Sequence, residues 1–334
     1  MSSARIALDV MGGDHAPRAV LEGALSAVRS AGANALDPER LVLVGPEEAT
    51  RTGWAQLDGP TEVAFLDAPD TIGMGEKPGV ALRAKPQASI PVAMGAVKAG
   101  AAGAVVSMGN TGAMVGAATM ILRTLPGVRR PGIAVTVPFT DKPLTILDMG
   151  ANTAPRAQDL VEYAVMGSAF QAACVDNPEP RVGLLNIGEE EEKGTAFTKE
   201  AHGLLSEADI RFEGNIEPSE LFEGRADVLV TDGFTGNVVL KLIEGFAEFL
   251  IPRVMGAAAK HGTPIAPEAI GSLSRSLSYS DYGGALLMGV NGVVIIGHGR
   301  SDSTAVTNAL RVARQALDAG VNAKVVTALG TTTA

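Results

Sequence analysis

The sequence predicts an α/β fold, a parallel sheet flanked by helices, and three observations carry that prediction. Short apolar runs recur between segments whose apolar residues repeat at helical spacing. Four of these runs end in a Gly-centred polar turn that leads into a helix: AVVS into MGNTGA, TILD into MGANTAP, GLLN into IGEEEEKGT, and VLVT into DGFTGN. Aromatic residues make up only 4% of the chain against 40 glycines, so its elements approach one another through small side chains.

A chain of 334 residues can form one large α/β domain or two smaller ones. One cysteine, Cys174, excludes an intramolecular disulfide and fits a reducing compartment. Arg5 is followed at once by the strand-like IALDV, which is not the pattern of a secretory leader, and a cytoplasmic location is expected. Ala99 to Leu122 carries no charge over 24 residues, but SMGNTG at its centre reads as a strand end and a turn, which excludes a spanning helix. The net charge of −10 disfavours nucleic acid as a partner and requires any acidic protein partner to find a local basic patch.

In chain order, Ile6 to Val10 is the first strand, and Pro17 opens a helix with Val20, Leu21, Ala24, Leu25 and Val28 on its apolar side. The intervening MGGD is not a dinucleotide fingerprint, and Asp14 would repel a phosphate there. Leu41 to Val44 and Val63 to Leu66 are strands. Next, prolines 78, 86 and 91 predict short pieces forming a loop or flap, which also holds a basic cluster of Lys77, Arg83 and Lys85. Strands follow at Ala104 to Ser107, Thr145 to Asp148, Gly183 to Asn186 and Val228 to Thr231. Glu189 to Glu192, Lys193, Gly194 and Thr195 read as the opening of a helix, where carboxylates suit the positive end of the peptide dipoles. From Asn237 a long helix with apolar Val239, Leu242, Ile243, Phe246, Phe249 and Leu250 is bent or ended by Pro252, and a second piece, Pro267 to Leu277, returns. Together, residues 238–277 read as an arm that packs on a second subunit, with Ile251, Val254 and Met255 beside Arg253 and Lys260 able to touch a membrane surface. Gly292 to Ile296 is the last strand, Ala305 to Leu317 the closing helix, and residues after Val326 are expected to fray.

Turns that follow parallel strands gather on one edge of the sheet, where open α/β folds bind ligands. Gly109, Asn110, Thr111, Gly112, Asn152, Asn186, Gly188, Gly236 and Asn237 make that edge a candidate receptor for a small oxyanion, with Lys193 projecting beside it. Other chemistry lacks its residues. There is no H-E-x-x-H or cysteine pair, histidines 15, 202, 261 and 298 are scattered, and neither a P-loop nor a G-x-S-x-G elbow occurs. No metal or cofactor is expected. What remains is a reaction whose nucleophile the protein does not supply, and a bound phosphate fills that role.

The runs DVMGGDHAP, EKPGVALR, AVVSMGNTGA, LDMGAN, RVGLLNIGEEEEKG, FEGNIE, ADVLVTDGFTGNVVLK, YGGALLMGVNGVVIIGHG and SDSTAVTNALRVA resemble, in this order, the PlsX-type phosphate acyltransferases of bacteria, from about Ile6 to Ala313. The resemblance implies transfer of a fatty acyl group from acyl-acyl-carrier-protein to inorganic phosphate, giving the acyl phosphate used in phosphatidic acid and phospholipid synthesis. It implies a single three-layer α/β/α domain over residues 1–330, Rossmann-like and of the phosphotransacetylase and isopropylmalate dehydrogenase type, with a protruding helical arm. It further implies a homodimer, loose attachment to the inner face of the membrane, a downstream glycerol-3-phosphate acyltransferase as a possible partner, and catalytic roles for Lys193 and Asn237. An acidic carrier protein then needs a basic landing site, for which Arg123, Arg129 and Arg130 are the first candidates and Lys77 the next. The rivals are an acyl-coenzyme A phosphotransacetylase, a dehydrogenase of the related fold, and a non-catalytic membrane-surface scaffold for lipid enzymes.

Overall fold

The computed structural model describes the chain except residues 1–3, 33–34, 141, 264, 267, 272–282 and 333–334. It divides into two compact units, one made of Met1–Pro131 and Gly283–Ala334, the other of Gly132–Tyr282.

The first unit begins with β1 (Ile6–Asp9), α1 (Arg18–Arg29), β2 (Leu41–Gly45), α2 (Glu47–Gln56), β3 (Ala64–Asp67), α3 (Pro78–Ala84), α4 (Ser89–Lys98), β4 (Ala104–Ser107) and α5 (Thr111–Ala117), which tightens into a π-helical turn at Ala118–Leu122. The second holds β5 (Gly132–Val137), β6 (Leu144–Leu147), α6 (Ala157–Cys174), β7 (Val182–Leu185), α7 (Ala196–Glu207), β8 (Phe212–Ile216), β9 (Val228–Val230) and α8 (Gly233–Lys260). The chain then completes the first unit with β10 (Ala285–Met288), β11 (Val293–Ile296), α9 (Ser303–Asp318) and α10 (Val321–Thr332).

In the first unit the strand order is β3-β2-β1-β4-β11-β10, parallel except for β10. In the second it is β5-β6-β9-β7-β8, parallel except for β5. β1, β2, β4, β6, β7, β9, β10 and β11 are buried along their whole length, which explains why they read as continuous apolar runs rather than alternating ones. Helices cover them: α9 packs on β1, β4, β11 and α1, and α6 packs on β6, β9 and α7.

Two expectations are corrected and a third is narrowed. The proline-cut flap is two helices: Pro78 is the first residue of α3 and Pro91 lies in the first turn of α4, positions where a missing N–H leaves no hydrogen bond unmade. Ile90, Ala93 and Met94 of α4 are core residues. The end of the chain is helical rather than frayed, because Val321, Val325 and Leu329 recur every four residues and are all buried. Finally, α8 runs through Pro252 to Lys260 and loses one backbone hydrogen bond there instead of ending. Beyond Leu240 no residue of α8 is buried, and Leu242, Phe246, Phe249 and Met255 are exposed. The predicted return at Pro267 to Leu277 falls largely outside the described residues.

Candidate active site

The parallel strands β6, β9 and β7 lie side by side, so their carboxyl ends release three of the Gly-rich segments along one edge of the second unit. Each segment is shaped by a polar side chain at or just past its strand end.

After β6, Asp148 is fully buried. Its Oδ1 accepts the N–H groups of Ile133 (2.9 Å), Gly150 (3.0 Å) and Ala151 (2.9 Å), and its Oδ2 accepts that of Asn152 (2.6 Å). Burial raises the pKa of this carboxyl, and the four N–H groups pull it the other way. The Asn152 side chain turns inward and donates to Tyr163 Oη at 2.7 Å, while the Asn152 backbone carbonyl accepts the N–H of Gly233 at 2.8 Å. Burial, followed by the nearby charges of Asp148 and Asp159, raises the Tyr163 pKa and keeps that phenol neutral.

After β9, Asp232 accepts the N–H groups of Phe234 (3.0 Å) and Thr235 (2.9 Å) and thereby caps α8. DGFTGN is therefore already helix, with Gly236 and Asn237 in its first turns. Space is tight here: a Cβ at Gly236 would overlap the Asp148 carbonyl oxygen, and one at Gly233 would lie 2.7 Å from Asp148 Oδ2. The Asn237 side chain is exposed, packs over Gly150, and makes no hydrogen bond among the described residues.

After β7, the glutamates do not open a helix. Helix α7 starts only at Ala196, capped by Thr195, whose hydroxyl accepts the Thr198 N–H at 3.2 Å. Residues 187–194 form a loop closed by Gly194 at φ +90°, where a Cβ would collide with Thr198 and Asn186. Asn186 donates through Nδ2 to the Lys193 carbonyl (3.2 Å) and accepts the Ile187 N–H (2.9 Å). The aliphatic stem of Lys193 lies against Gly188, and its half-exposed ammonium is 3.9 Å from Glu190 Oε2, too long for a hydrogen bond. Glu189 instead faces Arg225, 3.4 Å away, and Arg225 also binds Glu220.

In the first unit, Asp9 and Ser107 end adjacent strands, and the Ser107 hydroxyl donates to Asp9 Oδ2 at 2.6 Å while accepting the Gly109 N–H at 3.0 Å. Asn110 accepts the Ala113 N–H and uses Nδ2 to hold the carbonyls of Met74 (2.9 Å) and Glu76 (3.1 Å). Thr111 and Gly112 are exposed on this turn. Lys77, Arg123, Arg129 and Arg130 are exposed on the same unit, Arg123 at φ 64° where the π-helical turn ends.

The sequence suggested turns whose N–H groups stand open to an anion, and here the structure differs. Three of MGAN go to Asp148 and that of Met149 to the Ile133 carbonyl, and two of DGFTGN go to Asp232, whereas the Gly188 N–H beside Lys193 has no partner among the described residues. Asn152 and Asn186 spend their side chains holding the loops. Asp148 shapes its turn and Asp232 caps its helix, roles that suit aspartates at strand ends, and Asn215 was the organiser the motifs left unweighted. The one signal for Asn215 was a glycine inside a strand, Gly214, which marks a bulge. No group of His, Cys, Asp or Glu among the described residues is arranged to hold a metal ion.

Two solved structures share the fold. A phosphotransacetylase from Streptococcus pyogenes superposes with a TM-score of 0.61 at 18% identity, covering 95% of each chain. EutD phosphotransacetylase from Staphylococcus aureus gives 0.60 at 17%, covering 93% of this chain and 94% of that one. Curated proteins named phosphate acyltransferase are nearer in sequence. That of Desulforamulus reducens is 41% identical over 324 residues, covering 95% of both chains, and that of Heliobacterium modesticaldum is 43% identical over 318 residues, covering 93% of both. The model of the family described as fatty acid synthesis protein matches residues 4–324, and the chain belongs to that family.

Proposed function

We propose that this chain is a phosphate acyltransferase that moves a fatty acyl group from acyl carrier protein to inorganic phosphate, supplying acyl phosphate for phospholipid synthesis. The observation that carries this reading is the state of Lys193 and Asn237. They stand on segments released by the adjacent strands β7 and β9, and both polar ends are exposed and lack a hydrogen bond among the described residues, while the side chains of Asn152 and Asn186 nearby are paired. Exposed donors of this kind are available to a substrate.

In the proposed reaction a phosphate oxygen attacks the thioester carbonyl carbon, the C–S bond breaks, and the thiolate leaves and takes up a proton. Phosphate is dianionic enough at neutral pH to need no strong general base. Lys193 offsets charge on phosphate or on the tetrahedral oxyanion, and Asn237 orients phosphate or donates to that oxyanion. Loss of one such donor costs roughly 10²- to 10³-fold in rate. Gly109, Asn110, Thr111, Gly112, Asn152, Asn186, Gly188 and Gly236 are proposed as phosphate- or substrate-binding residues. Residues 1–330 are proposed to act as one catalytic domain.

The exposed apolar side chains of α8 support the reading of residues 238–277 as an arm for a homodimer and for peripheral contact with the inner face of the membrane. Among the described residues no helix is long and apolar enough to cross a membrane. A cytoplasmic location and a downstream glycerol-3-phosphate acyltransferase partner belong to the same proposal.

The test is thiol release from palmitoyl-acyl-carrier-protein with and without phosphate, with hydroxylamine present to trap acyl phosphate. Phosphate-dependent release that yields hydroxamate and is lost in Lys193→Ala supports the reading. Phosphate-independent release makes the protein a thioesterase, a preference for acyl-coenzyme A makes it a phosphotransacetylase, and no release favours a scaffold.

A further inference from the structure

We infer that Asn215 positions Lys193. Asn215 lies on β8, the strand beside β7, and is only 2% exposed. Its Nδ2 reaches across to donate to the Glu190 carbonyl at 2.9 Å, and the Lys193 N–H donates to the same carbonyl oxygen at 3.0 Å. A single oxygen therefore ties the backbone of Lys193 to the neighbouring strand, while Asn186, just past the end of β7, holds the Lys193 carbonyl at 3.2 Å.

The backbone is built to allow this. Gly214 sits at φ 89°, and the β7–β8 register slips between the pairs Val182–Phe212 and Leu184–Asn215. The bulge changes the direction of the side chain that follows it. Packing does not account for an amide at this position, since burying one is unfavourable unless it is hydrogen-bonded. Its Oδ1 has no partner, so the bond from Nδ2 to Glu190 is what the buried amide contributes. Arg225, paired with Glu189, approaches the same loop from the surface, but as a partly exposed ion pair it is the weaker restraint.

This inference rests on the reading of Lys193 as catalytic, and its test separates the two. Phosphate-dependent thiol release is measured for the full chain as wild type, Asn215→Leu, Asn215→Asp, Lys193→Ala and Lys193→Ala with Asn215→Leu. Both Asn215 variants lack the Nδ2 donor, and kcat falls on the order of 10-fold or more with the KM for the thioester donor unchanged. In the Lys193→Ala background Asn215→Leu adds no further loss, because the residue acts through the lysine. Amide hydrogen exchange supplies a readout independent of turnover: protection of the Lys193 N–H drops in Asn215→Leu while α6 and β7 keep theirs. A proportional loss of activity in both backgrounds, or unchanged protection, overturns the inference. Wild-type activity in Lys193→Ala removes the catalytic reading of that lysine, and hydrogen exchange still decides whether Asn215 holds the loop.

Discussion

Arg181 and Asp227 bind each other through both backbone and side chain. The Arg181 N–H donates to Asp227 Oδ2 at 2.8 Å, its guanidinium donates to Oδ2 and Oδ1 at 3.0 Å each, and the Asp227 N–H returns to the Arg181 carbonyl at 2.8 Å. These residues precede β7 and β9, so one ion pair fixes the starting register of the two strands whose far ends carry Lys193 and Asn237. Burial alone would raise the Asp227 pKa, but the Arg181 guanidinium and N–H more than reverse this and hold it below the ordinary carboxylate value. A lowered folded-state value means stability that is present above the ordinary carboxylate pKa and is lost as pH falls through the folded one. Asp227→Asn should cost about 1 to 3 kcal/mol at neutral pH, since it removes the charge from a pair in which the carboxylate is buried and the guanidinium is partly exposed. Denaturant unfolding of both proteins between neutral pH and about pH 3 should show that gap closing only as the pH falls below the ordinary value. A gap independent of pH would remove the charge from the explanation.

Eight strands were legible as apolar runs bounded by polar turns, and their observed ends fall within a residue or two of those read from the pattern, as at Ile6–Asp9 and Val293–Ile296, whereas β5, β8 and β10 were not read from it. The Lys193 loop was not. Four glutamates before a threonine resemble a helix start, yet what bends the chain there is Gly194, with Asn186 and Asn215 anchoring the loop from two strands. Asn215 is separated from Glu190 by 25 residues, beyond any local pattern. The asparagines were read as ligand donors because their type suits either role. Only the fold shows that Asn152 faces Tyr163 and Asn186 faces Lys193.

Gly236 separates shape from helix propensity. A methyl group there would collide with the Asp148 carbonyl and push the start of α8, with Asn237, away from Gly150. Gly236→Ala should lower kcat by about 10²-fold. The control is Gly203→Ala in the middle of α7, where a Cβ meets nothing within 4 Å and the gain in helix propensity is about 0.5 to 1 kcal/mol. Kinetics and thermal unfolding measured on both variants would place the loss in Gly236→Ala and the gain in Gly203→Ala. Full activity in Gly236→Ala would mean that the helix start tolerates displacement.

Helix α10 gives a test of stability alone. Leu329 is 3% exposed and follows Val321 and Val325 on one side of the helix. Leu329→Ala should destabilise by about 2 to 3 kcal/mol, the lower part of the range for a buried leucine because a terminal helix can settle into the space. Urea unfolding measures it, and a change below about 0.5 kcal/mol, the size of an ordinary surface effect, would restore the frayed terminus.

The carrier protein proposed as acyl donor is acidic and this chain carries −10, so long-range attraction must come from a local patch. Arg129 and Arg130 are exposed, and Arg123 and Lys77 are exposed on the same unit. Reversing the pair with Arg129→Glu and Arg130→Glu places two negative charges where the carrier is proposed to land, and should raise the KM for acyl-acyl-carrier-protein roughly tenfold. The KM for phosphate should not change, because a small ion does not share that surface. The two effects of charge can be told apart by salt: at high ionic strength the wild type should weaken toward the variant, narrowing the difference, whereas a packing defect would persist. An unchanged KM for the carrier substrate at low salt would take Arg129 and Arg130 out of the docking surface and leave Lys77 and Arg123 as the residues to reverse next.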